Sequence, residues 1–387
     1  MSFVDSFVRT VFPKKMYSRW RRSRDKKAGK KYYEPEDTLQ WEDLLRDARM
    51  DPVLREMIGS YQKHPWQDTT SDYWQVLNKK NVSQLLENSF DNFKQTIALN
   101  YFTWLISKDH FHIQFLKDNV SPEALSWAKK SSRKARRHAF FSPRQSRLYN
   151  FMTFLLWKYT EEQLGSELMN RLSEPLTGNP PAVELEGRSI SQDLANSALE
   201  FDSISGGTKD FQGIKTVLEL GAGYGRTAQV MLTLLPDIRY IIVDIPPALY
   251  VAQRYLGTVF GAKRLFTFRD FDDFSEVEEE FGRGQILFLL PSQLEKLPPK
   301  SVDLAAAINC LHEMRPQRLE FYFHTFDRIA RNLYFTCFKK TSIPYDNIEL
   351  TEADYPVRSH WQKIFWRTRR VQTNYFEALF SLVGQGD

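Results

Sequence analysis

The chain has 387 residues, 42% of them hydrophobic and 26% charged, with a formal net charge of +5. That length is long for one compact core and suits two domains of a globular protein. Two cysteines, Cys310 and Cys337, exclude a disulfide framework and have no zinc-ligand spacing, and no apolar run is long enough to span a membrane. No signal peptide is visible, so the expected location is the cytoplasm.

Residues 1–36 read as a basic amphipathic segment. Phe3, Val4, Phe7, Val8, Val11 and Phe12 recur at helical spacing, and Pro13 ends the pattern. Residues 1–31 carry eleven Lys or Arg against Asp5 and Asp25, leaving a net negative body. The body is therefore not basic, which argues against nucleic acid as a partner. An apolar face beside a cationic run can lie on an anionic membrane surface, which would place the protein at the inner face of the membrane. A tail that docks on the body, or on another subunit of a homo-oligomer, is the other reading.

Residues 37–205 read as a mainly helical domain for capping, substrate binding or oligomerisation. Predicted helices include Thr38–Arg49, Val82–Ile106 and Gln145–Arg171. Lys129–Arg137 is a second basic run, either a solvated helix face or a contact with an anionic sugar carrier. Leu176–Pro181, containing Gly178-Asn179-Pro180-Pro181, is a loop. In Ile190–Ser197, Gln192, Asp193 and Asn196 could form a polar face over a ligand, or the stretch could be a helix start capped by Ser189 or Ser191.

Residues 206–387 alternate short apolar strands with helices. Strands are predicted at Lys215–Leu220, Arg239–Val243, Gln285–Leu290, Val302–Ile308 and Asn332–Phe338, with helices at Arg226–Leu235 and Ala248–Phe260. This order implies crossover connections and a mostly parallel sheet. The aromatic-rich segment Trp361–Val383 is expected to add antiparallel strands at its edge.

Glu219-Leu220-Gly221-Ala222-Gly223-Tyr224-Gly225 sits between a predicted strand and helix, where open α/β sheets bind ligands. Glycine allows positive φ and close approach of backbone to ligand. The spacing is G-x-G-x-G, and Arg226 stands where a dinucleotide fingerprint has its last glycine. Glu219 would repel a pyrophosphate and attract a cationic amino-acid ligand. Asp244 ends the next strand roughly 20 residues on, where a carboxylate can accept ribose hydroxyls. Together these favour a positively charged nucleoside without phosphate.

Glu219–Gly225 followed by Asp244 resembles the class I methyltransferase signature. The resemblance implies a Rossmann-like fold and S-adenosylmethionine as cofactor. Glu219, Gly221, Gly223 and Gly225 would hold its methionine portion, and Asp244 with Ile245 its ribose. By the topology of such folds, Ser292 or Gln293 would meet the adenine and Asn309 would lie beside the methyl group, although each could instead cap a loop.

Val302–Ile308 runs into Asn309-Cys310-Leu311-His312-Glu313-Met314 at a strand's carboxyl end. His312 is the candidate general base, since a hydroxyl needs a proton acceptor before it attacks; satisfying a loop carbonyl is the alternative. Glu313 would orient the imidazole, or begin a helix. A narrower resemblance, over roughly residues 95 to 380, is to the sugar O-methyltransferases of bacterial polysaccharide biosynthesis. Glu174-Pro175 with Gly178-Asn179-Pro180, Ile190–Ser197, Glu219–Gly225, Asp244-Ile245-Pro246-Pro247 and Asn309 through Glu313-Met314 carry it. That group often has glutamine where this chain has His312.

The resemblance implies methyl transfer to a sugar hydroxyl, with a sugar or glycan as partner. Methylation of a non-sugar small molecule and a non-catalytic scaffold in a glycan assembly complex are the alternatives. Asp270, Asp272 and Asp273 match no metal-binding spacing, and no required metal is expected. DNA base methylation is disfavoured because Pro246-Pro247 follows the second strand rather than the catalytic one.

Overall fold

The computed structural model describes residues 40–64, 70–96, 111–138, 141–343, 346 and 348–382; the amphipathic segment 1–36 and the end of the helix expected over Val82–Ile106, from residue 97 on, lie outside them. Before the sheet come helices α1 (Trp41–Arg46), α2 (Pro52–Lys63), α3 (Asp72–Asn88), α4 (Phe111–Asp118), α5 (Pro122–Lys134), α6 (Pro143–Leu164) and α7 (Ser166–Asn170). Local chemistry sets their starts. Asp51 accepts from Val53 N, Ser121 from Ala124 N, and Ser142 forms a capping box with Gln145, each ahead of a proline in the first turn.

Two predicted helices are shorter than their periodicity implies. The helix expected from Val82 belongs to α3 and stops at Asn88, because Ser89 takes a φ of 61° and Phe90 turns into the core. The helix expected over Gln145–Arg171 is broken at Gly165, whose φ of 86° is left-handed. A hairpin interrupts the helical region: β1 (Val183–Leu185) and β2 (Arg188–Ile190) pair antiparallel around Glu186 and Gly187, both at positive φ. Helix α8 (Gln192–Gly207) follows, capped by Ser191, which accepts from Leu194 N.

The sheet contains β3 (Thr216–Leu220), β4 (Arg239–Val243), β5 (Leu265–Phe266), β6 (Ile286–Leu289), β7 (Val302–Ile308), β8 (Ala330–Phe338), β11 (Gln362–Thr368) and β12 (Tyr375–Ser381). Between β8 and β11, β9 (Lys340–Ile343) and β10 (Ile348–Thr351) form a separate hairpin. The spatial order is β11-β12-β8-β7-β3-β4-β6-β5. β12 runs antiparallel to both neighbours, and the pairings from β8 to β5 are parallel. From β3 the chain passes first to β4 on one side and later to β7 on the other, so the switch point of the sheet lies between β3 and β7.

Side-chain alternation covers both faces. Val217, Tyr240, Ile242, Ile286 and Phe288 point to one core with α8, α9 (Arg226–Leu234) and α10 (Ala248–Phe260), a core the N-terminal helices share. Leu218, Leu220, Ile241, Val243, Leu287 and Leu289 point to the other, with Phe281 of α11 (Glu278–Arg283) and Leu319, Phe323 and Phe326 of α12 (Pro316–Ile329). Strands buried on both faces explain the unbroken apolar runs.

Candidate active site

β3 delivers Glu219 to the carboxyl edge of the sheet, and the turn to α9 follows at once. Gly221, Gly223 and Gly225 have φ of 68°, 61° and 87°, a region that strains any side chain. A Cβ on Gly221 would stand 2.4 Å from the Cys310 Cβ. The turn is therefore pressed against the end of β7 at the switch point. Asp244 Oδ2 accepts from Gly223 N at 2.7 Å and Oδ1 from Ile245 N at 2.7 Å, which pins the turn to the end of β4. Each oxygen keeps a second lone pair for a ligand hydroxyl.

These residues open onto a cleft with about 1070 Å³ of empty space, its mouth included. Glu219, Gly221, Gly223, Asp244, Ile245, Asn309 and Glu313 line it. Gly225 does not; its part is to turn the chain into α9, with a Cβ position only 2.9 Å from Leu256. Glu219 is 2% exposed and accepts from Tyr240 Oη at 2.8 Å. Burial pushes its carboxyl up to about 8, against the pull of that hydrogen bond. Burial likewise pushes Asp244 up to about 7, opposed by its two backbone donors.

In its charged form each carboxylate is a poor neighbour for phosphate and a good one for an ammonium or hydroxyl donor, and a cationic ligand would favour that form against the burial that opposes it. The donor set therefore fits a cationic nucleoside, and Arg226 shows why a dinucleotide turn is absent. Its guanidinium reaches Glu200 on α8 at 2.7 and 2.8 Å, and Ser197 Oγ at 2.6 Å, so the position serves as a tie between helices. Arg369 reaches the same Glu200 at 2.5 Å, Asn196 Oδ1 at 3.0 Å and Asn309 Oδ1 at 3.1 Å. Burial raises the Glu200 carboxyl, but the two guanidinium groups outweigh it and hold the group below its usual range. The cluster fixes Asn309, itself at φ 58°, in the cleft wall.

Several expected ligands lie elsewhere. Gln192, Asp193 and Asn196 do not reach the cleft, because α8 is buried on all sides from Gln192 to Glu200. Asp193 accepts from Tyr224 Oη at 2.8 Å and so braces the glycine turn from behind. Gln192 donates to Thr153 Oγ1 at 3.5 Å inside the helical core. Gln293 folds back on its own turn, accepting from Leu290 N at 2.8 Å and donating to Arg269 O at 2.9 Å. Of Pro291–Gln293 only Pro291 lines the cleft; Ser292 and Gln293 are not in its wall.

His312 also requires correction. It is 3% exposed, absent from the cleft wall, and stacked edge-on to Phe338 at 4.7 Å. Burial pushes its pKa down to about 3. An imidazole so sequestered has neither reach nor proton affinity for a substrate hydroxyl. Its neighbour Glu313 faces the cleft instead, with Oε2 held by Trp74 Nε1 at 3.0 Å. Burial pushes Glu313 up to about 8, opposed by that hydrogen bond.

The far wall comes from residues the sequence did not single out. Thr70, Ser71 and Trp74 reach the cleft from the start of α3, and Met314, Arg318 and Tyr322 from β7's exit and α12. Arg315 fastens this wall, donating to Asp72 at 2.9 Å and Asp346 at 2.6 Å. Ser71 Oγ is buried without a hydrogen-bond partner among the described residues. Arg318 and Tyr322 stand four residues apart on one helix face, a signal available from sequence; Trp74 had none. The clustered acids do separate work: Asp270 accepts from Ser60, Asp272 lies 3.8 Å from Lys296, and Asp273 caps a short turn. Among the described residues no group of His, Cys, Asp and Glu could hold a metal ion.

No family model and no curated protein matches the chain. It is similar to solved structures over about half its length. One is an SAM-dependent methyltransferase from Aquifex aeolicus, at 14% identity, covering 47% of this chain and 89% of that one, TM-score 0.29. Another is magnesium protoporphyrin IX methyltransferase from Synechocystis PCC 6803 with bound SAH, at 13% identity, 49% and 85% coverage, TM-score 0.34. A third is the PH0226 protein of Pyrococcus horikoshii OT3, at 11% identity, 47% and 91% coverage, TM-score 0.33. The strand order, with β3 central and antiparallel β12 between β8 and β11, is the Rossmann-like class I methyltransferase fold, preceded here by a helical region.

Proposed function

We propose that the chain is an S-adenosylmethionine-dependent O-methyltransferase whose acceptor is a sugar hydroxyl. The observation that carries the reading is the pairing of Glu219 and Asp244 around a turn of three positive-φ glycines, with Glu313 facing the same cleft. Glu219 would hold the cofactor's ammonium, Asp244 its ribose hydroxyls, and the glycine backbone its chain. The bound cofactor supplies a methyl group activated by a sulfonium.

The chain's own residues do the rest. Trp74 occupies Glu313 Oε2, which leaves Oε1 to accept the acceptor's hydroxyl proton as the oxygen takes the methyl. Asn309, held by Arg369 and Thr336, shapes the wall between the two partners. The helical region lines the cleft through Thr70, Ser71 and Trp74. Sugar specificity is supported by the motifs that resemble the sugar O-methyltransferases and by the Ser71 hydroxyl, which has no partner among the described residues and could pair with a polyol. The second reading, a non-sugar acceptor, draws on the Trp74, Met314 and Tyr322 surfaces, which suit a flat apolar molecule.

The test is transfer of a labelled methyl group to a panel of free sugars, nucleotide sugars, glycans and aromatic small molecules. Label on a sugar oxygen is the expected result. Label only on non-sugar acceptors would establish the second reading. Tight cofactor binding with no transfer to any acceptor class would leave a scaffold as the better account.

A further inference from the structure

Residues 124–160 contain nine lysines and arginines and no acid. Lys129, Lys130, Arg133 and Lys134 lie on the second half of α5, and Arg136 and Arg137 in the turn after it; all are exposed. Arg144 and Arg147 continue the patch at the start of α6, also exposed. Among the described residues none of these eight has an acidic partner, whereas Lys158, the ninth, pairs with Glu161. Outside residues 1–31 and 124–160 the chain has thirty-three cations against forty-six acids. The positive charge is sorted onto this corner of an otherwise acidic body.

Folding does not account for the sorting. Arg133 and Lys134 complement the negative end of α5. Arg144 and Arg147 stand at the positive end of α6, which has no acid in its first turn, and there the helix field opposes them. Cations held against both their neighbours and the helix field point to an anionic partner. The nearby rings face inward, Trp127 onto Phe154 and Phe141 onto Tyr149, and the one large hydrophobic exposed among the described residues, Leu176, lies outside this stretch. Among its described residues the corner therefore offers neither a stacking platform for bases nor an apolar pocket. It can recognise only dense, diffuse negative charge.

We propose that the α5–α6 corner is a docking face for an anionic lipid bilayer. The N-terminal segment favours a bilayer over nucleic acid: residues 1–31 add a second cationic block, and their apolar periodicity has a use in lipid but none on a phosphate backbone. Two weak elements of this kind together make a stable surface contact. The proposal does not depend on which acceptor is methylated.

The experiment is co-sedimentation of the full chain with vesicles of phosphatidylcholine, alone or mixed with phosphatidylglycerol. The wild type is compared with a variant carrying Lys129→Glu, Lys130→Glu, Arg133→Glu and Lys134→Glu, and with the matching glutamine set in case charge reversal impairs folding. Binding should require the anionic lipid, weaken with salt, and fall at least about tenfold in either variant. A chain lacking residues 1–31 should keep a salt-sensitive component that the same substitutions remove. Unchanged vesicle binding by a folded variant would overturn the proposal, as would tighter binding to duplex DNA or to an acidic glycan than to anionic vesicles.

Discussion

The Trp74 indole donates to Glu313 Oε2 across 3.0 Å, joining residues 239 positions apart and fastening α3 of the helical region to the exit of β7. The bond leaves the other carboxylate oxygen, Oε1, without this donor and 3.8 Å from His312 Nε2. It also holds the Glu313 pKa lower than burial alone would, at about 8.

A base that titrates near 8 is mostly protonated at pH 7, so kcat/KM for the acceptor, read at saturating cofactor, should rise with pH toward 8 and then level. Glu313→Gln should abolish that limb and lower turnover by about 10²–10⁴-fold. Trp74→Phe removes a donor to the carboxylate and should move the limb to higher pH. A limb unchanged in Glu313→Gln would remove Glu313 from the chemistry.

His312 should behave as a packing residue. His312→Gln is expected to keep turnover within about threefold of wild type, since the side chain is not in the cleft wall and its Nε2 stands 3.8 Å from Glu313 Oε1, beyond hydrogen-bond distance. Its effect should be on acid stability. The folded pKa, near 3, is below the unfolded value, so the unfolded state takes up the proton first and stability is lost as pH falls below about 6.5. The Gln variant should lose less melting temperature between pH 7 and pH 5 than wild type does. An equal loss would show that another group carries the acid dependence.

Glu200 accepts from both Arg226 and Arg369 in the core under the glycine turn. Glu200→Ala leaves two guanidinium groups without their shared counter-charge and should cost about 3–5 kcal/mol in denaturant unfolding. A cost below 1 kcal/mol would mean that the cluster relaxes or hydrates, and that it does not hold Asn309 in place.

The glycine-turn wall of the cleft was legible in sequence because its logic is local. An acid at a strand end, glycines in a turn and a second acid at the next strand end say much about ligand charge before any packing is known. The substrate side was not. Gln192, Asp193 and Asn196 read as a polar surface, yet they turn inside the protein to Thr153, Tyr224 and Arg369, with Gln192 Oε1 left without a partner among the described residues. Composition cannot tell a solvated polar face from a buried network. Trp74 depends on where a distant helix docks, and His312 and Glu313 exchange roles because a short turn after β7 rotates one inward and the other out. The Glu186-Gly187 hairpin was readable from its alternating flanks but was masked by the helical neighbourhood.

The central claim is that Glu219 and Asp244 bind a cationic nucleoside, and titration calorimetry with S-adenosylmethionine, S-adenosylhomocysteine and NAD tests it most directly. Both carboxyls are displaced upward, to about 8 and about 7, and the ligand favours their charged forms. Binding of either methionine nucleoside should therefore release protons and tighten as pH rises from 6 to about 8. Asp244→Ala should weaken it by about 1.5–3 kcal/mol, and NAD should not bind. Binding of NAD with no binding of either methionine nucleoside would contradict the account.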